Sequence, residues 1–89
     1  MDWNKISNET VVTYFTALFN EAGNNYPHAR FEKCLLEFDY ALKSISLERL
    51  YRVRMGLSYA LARNPGNEQA FDLLEGQIAL REIEIYCEP

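Results

Sequence analysis

The chain holds one histidine, two cysteines, four glycines and three prolines in 89 residues, and each scarcity removes a class of explanation. A lone His28 beside a proline reads as a surface residue, with no second imidazole to share a metal or relay a proton. Cys34 and Cys87 stand 53 positions apart, so they form neither a zinc nor a redox motif. Reduced packing thiols are the expectation and one disulfide the alternative. No glycine-rich phosphate loop and no nucleophile–base pair occurs, so the expectation is a protein that is not an enzyme and has no cofactor and no metal. Sparse proline and glycine, clustered at 23–27 and 65–66, argue against a disordered linker. No stretch approaches the ~20 apolar residues of a membrane span. Asp2 and Glu9 stand where a secretory signal needs a basic start and an apolar run. A cytoplasmic chain with no membrane partner follows, in which the glycosylation pattern Asn8-Glu9-Thr10 has no use.

What is present suits a packed domain. Hydrophobic residues make up 48%, with five Phe, six Tyr and one Trp, enough for one core and too few residues for two. The periodicity predicts an all-α bundle of about four helices, over approximately 8–22, 27–43, 47–63 and 68–86, in a single domain 1–89.

The third helix is the best punctuated. Ser46 is a good N-cap, Glu48 suits the positive end of the helix dipole, and Arg63 lies in the last turn before Asn64-Pro65-Gly66. Steps of about 100° gather Leu47, Leu50, Val53, Leu57, Ala60 and Leu61 on one face and put Tyr51, Met55, Ser58 and Ala62 beside it. Glu48, Arg49, Arg52, Gly56, Tyr59 and Arg63 are left for water, so the helix reads as a hub. Arg54 falls among the apolar positions. Either its head snorkels to the edge, or it is a buried ion pair with Glu37 or Asp39.

Around this hub, Ile6 and Val11 form a hydrophobic staple, Ser7 caps helix one, and Trp3 closes one end of the core. Thr10 to Phe15 is rich in β formers, but the cap and the helical spacing of Val11, Phe15, Leu18 and Ala22, flanked by Val12 and Phe19, favour helix. Asn25 caps a second helix beginning near Pro27, with Phe31, Cys34, Leu35, Phe38, Ala41 and Leu42 inward. Asn67 caps the fourth. There Ala70, Phe71, Leu74, Ile78 and Ile85 form one apolar set and Leu73, Leu80, Ile83 and Cys87 a second, so burial on more than one side is expected.

Ala60, Pro65, Phe71 and Leu74 are spaced as at a junction between tetratricopeptide repeats, which residues 60–74 resemble. Glu75 stands where that family has glycine, and the pattern does not repeat. The resemblance implies a local helix-turn-helix and no solenoid.

Charge is uneven. The net charge is −4, yet residues 47–63 hold four arginines against one glutamate, so the rest is strongly acidic. Glu68, Asp72, Glu75, Glu82 and Tyr86, with Ala79 between, recur at intervals of three and four along the last helix, an acidic stripe with an aromatic end. In an antiparallel hairpin of helices three and four, Arg49 is level with Glu82 and Arg63 with Glu68, so the stripe is either neutralised by Arg49, Arg52 and Arg63 or left facing solvent. Gly56 and Gly76 each permit a close helix crossing, and packing at Gly76 would turn the carboxylates outward. Facing solvent, the stripe would steer a basic protein such as a toxin or nuclease. That is the chemistry of an inhibitor, immunity or antitoxin-type protein. The alternative is an adaptor module acting by helix–helix contacts or self-association, with homodimers through Tyr51 and Met55. Nucleic-acid binding through Arg49, Arg52, Arg63 and Tyr59 conflicts with the acidic balance, so no nucleic-acid partner is expected.

Overall fold

At the helix ends, side chains or tightened backbone turns take over orphan backbone groups. The computed structural model describes residues 2–22 and 29–87. It shows α1 over Asn8–Ala22, α2 over Ala29–Leu42, α3 over Leu47–Arg63 and α4 over Glu68–Cys87, with no strand among the described residues. Ser7 Oγ accepts from the Thr10 N–H at 3.1 Å, and Ser46 Oγ accepts from the Arg49 N–H at 3.3 Å. α2 ends by tightening, its last carbonyls accepting from Lys43, Ser44 and Ile45 three residues on, a 3₁₀-like exit. α3 ends at Asn64, whose N–H donates to Leu61 O and whose side chain donates to Ala60 O at 2.8 Å. Gly66 follows with φ 95°, a left-handed conformation that glycine adopts without steric cost. The expected Asn67 cap differs in detail: its side-chain amide donates back to Asn64 O, while its carbonyl accepts from Phe71 N. The turn with Asn25 as cap, the start near Pro27, and His28 lie outside the described residues.

The all-α bundle closes in the ring order α1, α3, α4, α2, neighbours in that ring packing on each other. Its core is one cluster that includes Val11, Phe15 and Phe19 of α1, Phe31, Phe38 and Leu42 of α2, Leu50, Val53 and Leu57 of α3, and Leu74 and Ile78 of α4. Each such side chain contributes about 1.5–3 kcal/mol by leaving water. Trp3 closes one end, edge-on to Tyr14 at 4.9 Å and to Phe38 at 5.4 Å. The segment carrying it is tied down by Asn4, which donates to Ser44 O and accepts from Ser46 N. Arg49 adds two bonds, to Trp3 O at 2.7 Å and to Ile6 O.

Three burial expectations are corrected. The outer set of α4 is not covered: Leu73, Leu80 and Ile83 are 43%, 56% and 59% exposed, because α3 and α2 occupy the other sides of that helix. On α3 the Tyr51 and Met55 flank is open as well, while Gly56, expected at the water-facing strip, is buried. A Cβ on Gly56 would stand 2.5 Å from Val11 Cγ1, so α1 and α3 cross at that point. Gly76 meets nothing within 4 Å.

Candidate protein-binding surface

The acidic stripe of α4 lies along its border with α3, and the structure divides it. Glu75 and Glu82 converge on one guanidinium: Arg54 Nε lies 3.0 Å from Glu75 Oε1, and its NH1 lies 2.7 Å from Glu82 Oε2. The three side chains are only a quarter to a third exposed. Tyr86 shares a 2.8 Å hydrogen bond with Tyr51 of α3, which with some desolvation raises the Tyr51 pKa. Glu68 accepts from the Gly66 N–H at 3.3 Å, and Asp72 is exposed and forms no ion pair among the described residues. Glu75, Glu82 and Tyr86 are thus brought onto α3, while Glu68 and Asp72 remain at the outer N-terminal end.

The pairing overturns both specific partners expected for Arg54 and for the stripe. Glu37 and Asp39 do not reach Arg54, because α2 packs on α1 and α4 rather than on α3. Arg49 does not reach Glu82, nor Arg63 Glu68. Being level in a hairpin is insufficient when the azimuth is wrong. Arg49 points to the N-terminal carbonyls, Arg52 sits 3.9 Å from Glu48, and the Arg63 guanidinium lies over the Tyr59 ring at 4.7 Å. Only Arg54 occupies the side of α3 that α4 covers.

On the opposite side of α4, Leu73, Gly76, Leu80, Ile83 and Cys87 follow one another at intervals of three, four, three and four, all exposed. This is the spacing of a helix seam made for a partner helix. Asp72 borders it on one side and Glu84 on the other; Glu84 bridges Arg81 at 3.3 Å with about half its side chain exposed. On the adjoining α2, Leu36 and Tyr40 are 72% and 78% exposed. Between the two helices Gln77 donates to Leu35 O, and its Oε1 is buried without a hydrogen-bond partner. The signal for this surface was in the sequence: the second apolar set of α4 supplies it, assigned to the interior because a helix apolar all round is usually enclosed.

Cys34 is half-buried, Cys87 exposed, and no disulfide joins them. Among the described residues no group of three His, Cys, Asp or Glu side chains is placed to hold a metal ion, and no helix is long and apolar enough to cross a membrane. No family model matches the chain, and neither does a curated protein or a solved structure.

Proposed function

We infer that this chain is a protein-binding module of the adaptor kind, acting by helix–helix docking rather than by catalysis. Its contact surface is the outward face of α4. The observation that carries this reading is the row Leu73, Leu80 and Ile83, each 43% or more exposed at seam spacing beside Asp72 and Glu84. Three large aliphatic side chains in water are a standing driving force for association, about 25 cal/mol for each Å² covered. A partner fits best if it offers an apolar stripe or groove bordered by basic groups.

A second reading, neutralisation of a basic protein in the cytoplasm by an inhibitor or immunity-type protein, is favoured by charge on the same side. Asp72 and Glu84 are exposed on α4, and Asp39 of α2 lies beside Glu84 at the border of the two helices, against Lys43 and Arg81. Glu68 and Asp72 then take the role first expected of the entire stripe, with Glu75, Glu82 and Tyr86 supporting it from the α3 border.

The two readings separate in one experiment. Protein captured from an extract of the source organism at low salt is purified and titrated against the parent, Leu80→Asp/Ile83→Asp and Glu68→Lys/Asp72→Lys. Docking through the apolar face predicts that the first variant loses binding and the second keeps most of it. Charge neutralisation predicts the reverse, with steep salt dependence. A protein bound equally by all three removes α4 as the contact surface. Glu75→Lys and Glu82→Lys are unsuitable probes, since each would set an ammonium against Arg54 inside the α3–α4 contact.

A further inference from the structure

We propose that the occupant of the α4 face is a second copy of this chain, which receives it in the groove between α1 and α3, so that copies associate head to tail. This rests on the reading of α4 as a docking surface. The groove is about 540 Å³ in volume. It is lined by Val12 of α1 and by Arg52, Met55, Gly56, Tyr59 and Arg63 of α3.

Four observations lead there. The fold uses two of the α3 arginines, Arg54 on Glu75 and Glu82 and Arg49 on backbone carbonyls. The other two both line this groove, Arg52 in a long, solvent-exposed contact with Glu48 and Arg63 over the exposed Tyr59 ring. Glu9 is the one carboxylate among the lining residues, so the groove is cationic on a chain whose net charge is −4. Met55 and Tyr59 are 71% and 53% exposed, an apolar and aromatic lining of the kind that anchors protein partners.

The dimensions of the two faces also match. Arg52 and Arg63 stand at either end of the groove, eleven residues apart, about 16 Å along a helix. Asp72 and Glu84 flank the α4 seam on opposite sides, twelve residues apart, about 18 Å along the helix. An apolar strip flanked by two carboxylates thus meets an apolar strip flanked by two guanidiniums at nearly the same spacing along the helix axis. The two faces lie on different sides of the bundle, so the contact is heterologous. It leaves one free groove and one free seam at the ends of any chain of copies.

Sedimentation of the intact chain at rising concentration tests this, with Arg52→Glu/Arg63→Glu blocking the groove and Leu80→Asp/Ile83→Asp blocking the seam. All four positions are exposed, and helical circular dichroism confirms that each variant folds. The expected result is a mass that climbs above the 10.4 kDa monomer without stopping at a dimer. Each variant alone should associate at least about tenfold more weakly. An equimolar mixture of the two variants should form a discrete heterodimer, since each retains the face that the other lacks. If the groove variant self-associates like the parent while the seam variant does not, α4 pairs with α4 about a two-fold axis; the groove assignment is wrong and the docking surface stands. If the seam variant associates like the parent, both the inference and the docking surface fall. A monomer at all concentrations overturns the inference alone.

Discussion

The α1–α3 crossing and the outer face of α4 are built from similar sequence and end in opposite states. Each has a helical glycine among β-branched or aliphatic neighbours. At the crossing Gly56 brings α1 close enough for Val11 to fill the space its side chain would occupy. On α4 Gly76 opens onto nothing, with Leu73, Leu80 and Ile83 exposed around it. The difference is topological. A ring of four helices gives each helix two neighbours and a core, and α4 is apolar on a fourth side that the ring cannot cover. What remains uncovered is apolar surface whose burial against a partner would release binding energy.

The comparison is broken most severely by truncating one side chain from each region. Phe15→Ala, at a fully buried position, should lower unfolding free energy by about 3–5 kcal/mol. Leu80→Ala should stay within about 0.5 kcal/mol. Urea denaturation with an unchanged m-value measures both. A Leu80 variant as damaged as the Phe15 variant would mean that the α4 face is already covered in solution.

Gly56→Ala tests the crossing itself. The new Cβ would lie 2.5 Å from Val11 Cγ1 and 3.3 Å from Val11 Cβ, and both atoms belong to a fully buried side chain. Overpacking of this kind costs about 1–3 kcal/mol, more than the ~1 kcal/mol alanine gains as a helix former. A net loss near 1 kcal/mol is expected, smaller when Val11→Ala is present, as a double-mutant cycle would register. Additive effects would show that the two helices do not meet there.

Between these regions, Arg54 joins α3 to α4. Arg54→Ala leaves Glu75 and Glu82, each no more than about a third exposed, without their shared cation. An expected loss of about 1–2 kcal/mol follows from stranding partly buried carboxylates. Arg54→Ala combined with Glu75→Gln and Glu82→Gln should recover part of it. No recovery would assign the loss to packing of the arginine stem.

These contrasts also explain what could be read in advance. Helix bounds were legible because Ser7, Ser46 and the Asn64-Pro65-Gly66 stop are local chemistry. All four helices end within a residue of the expected limit, and α1, α3 and α4 begin where expected; the expected start of α2 lies outside the described residues. Most inward faces were legible because 3.6-residue periodicity is local too. The identity of Arg54's partners was not, since it depends on which helices are neighbours: ring order places α4, and not α2, against Arg54. The exposed seam was misread for a related reason. Leu73, Leu80 and Ile83 have the pattern of buried residues, and only the count of neighbouring helices shows that nothing covers them.

Alkaline pH gives a smaller difference. Burial, helped by negative charge at Cys34 and Glu37, pushes the Tyr14 hydroxyl pKa up to about 12 from 10.0. Below pH 10 the phenol is protonated in both states and its contribution is complete. Between pH 10 and 12 the unfolded chain releases the proton first, so stability falls as pH rises and the contribution is lost above 12. Tyr14→Phe should therefore show a shallower decline over that interval than the parent, with equal slopes below pH 9. Identical slopes throughout would mean that Tyr14 is as solvated as in the unfolded chain.

The smallest effect has the opposite sign. Gly76→Ala places a methyl group in open space on a helix whose φ is ordinary. Reduced freedom of the unfolded chain and better helix propensity should raise stability by about 0.5–1 kcal/mol. The same substitution twenty residues earlier is expected to destabilise. Docking adds a second readout, because Gly76 sits in the middle of the Leu73–Ile83 seam, where a partner backbone approaches most closely if it seats there. The variant should then melt higher and bind or self-associate more weakly. A higher melting temperature with unchanged association would move the contact off the centre of the seam, toward Leu36 and Tyr40 of α2.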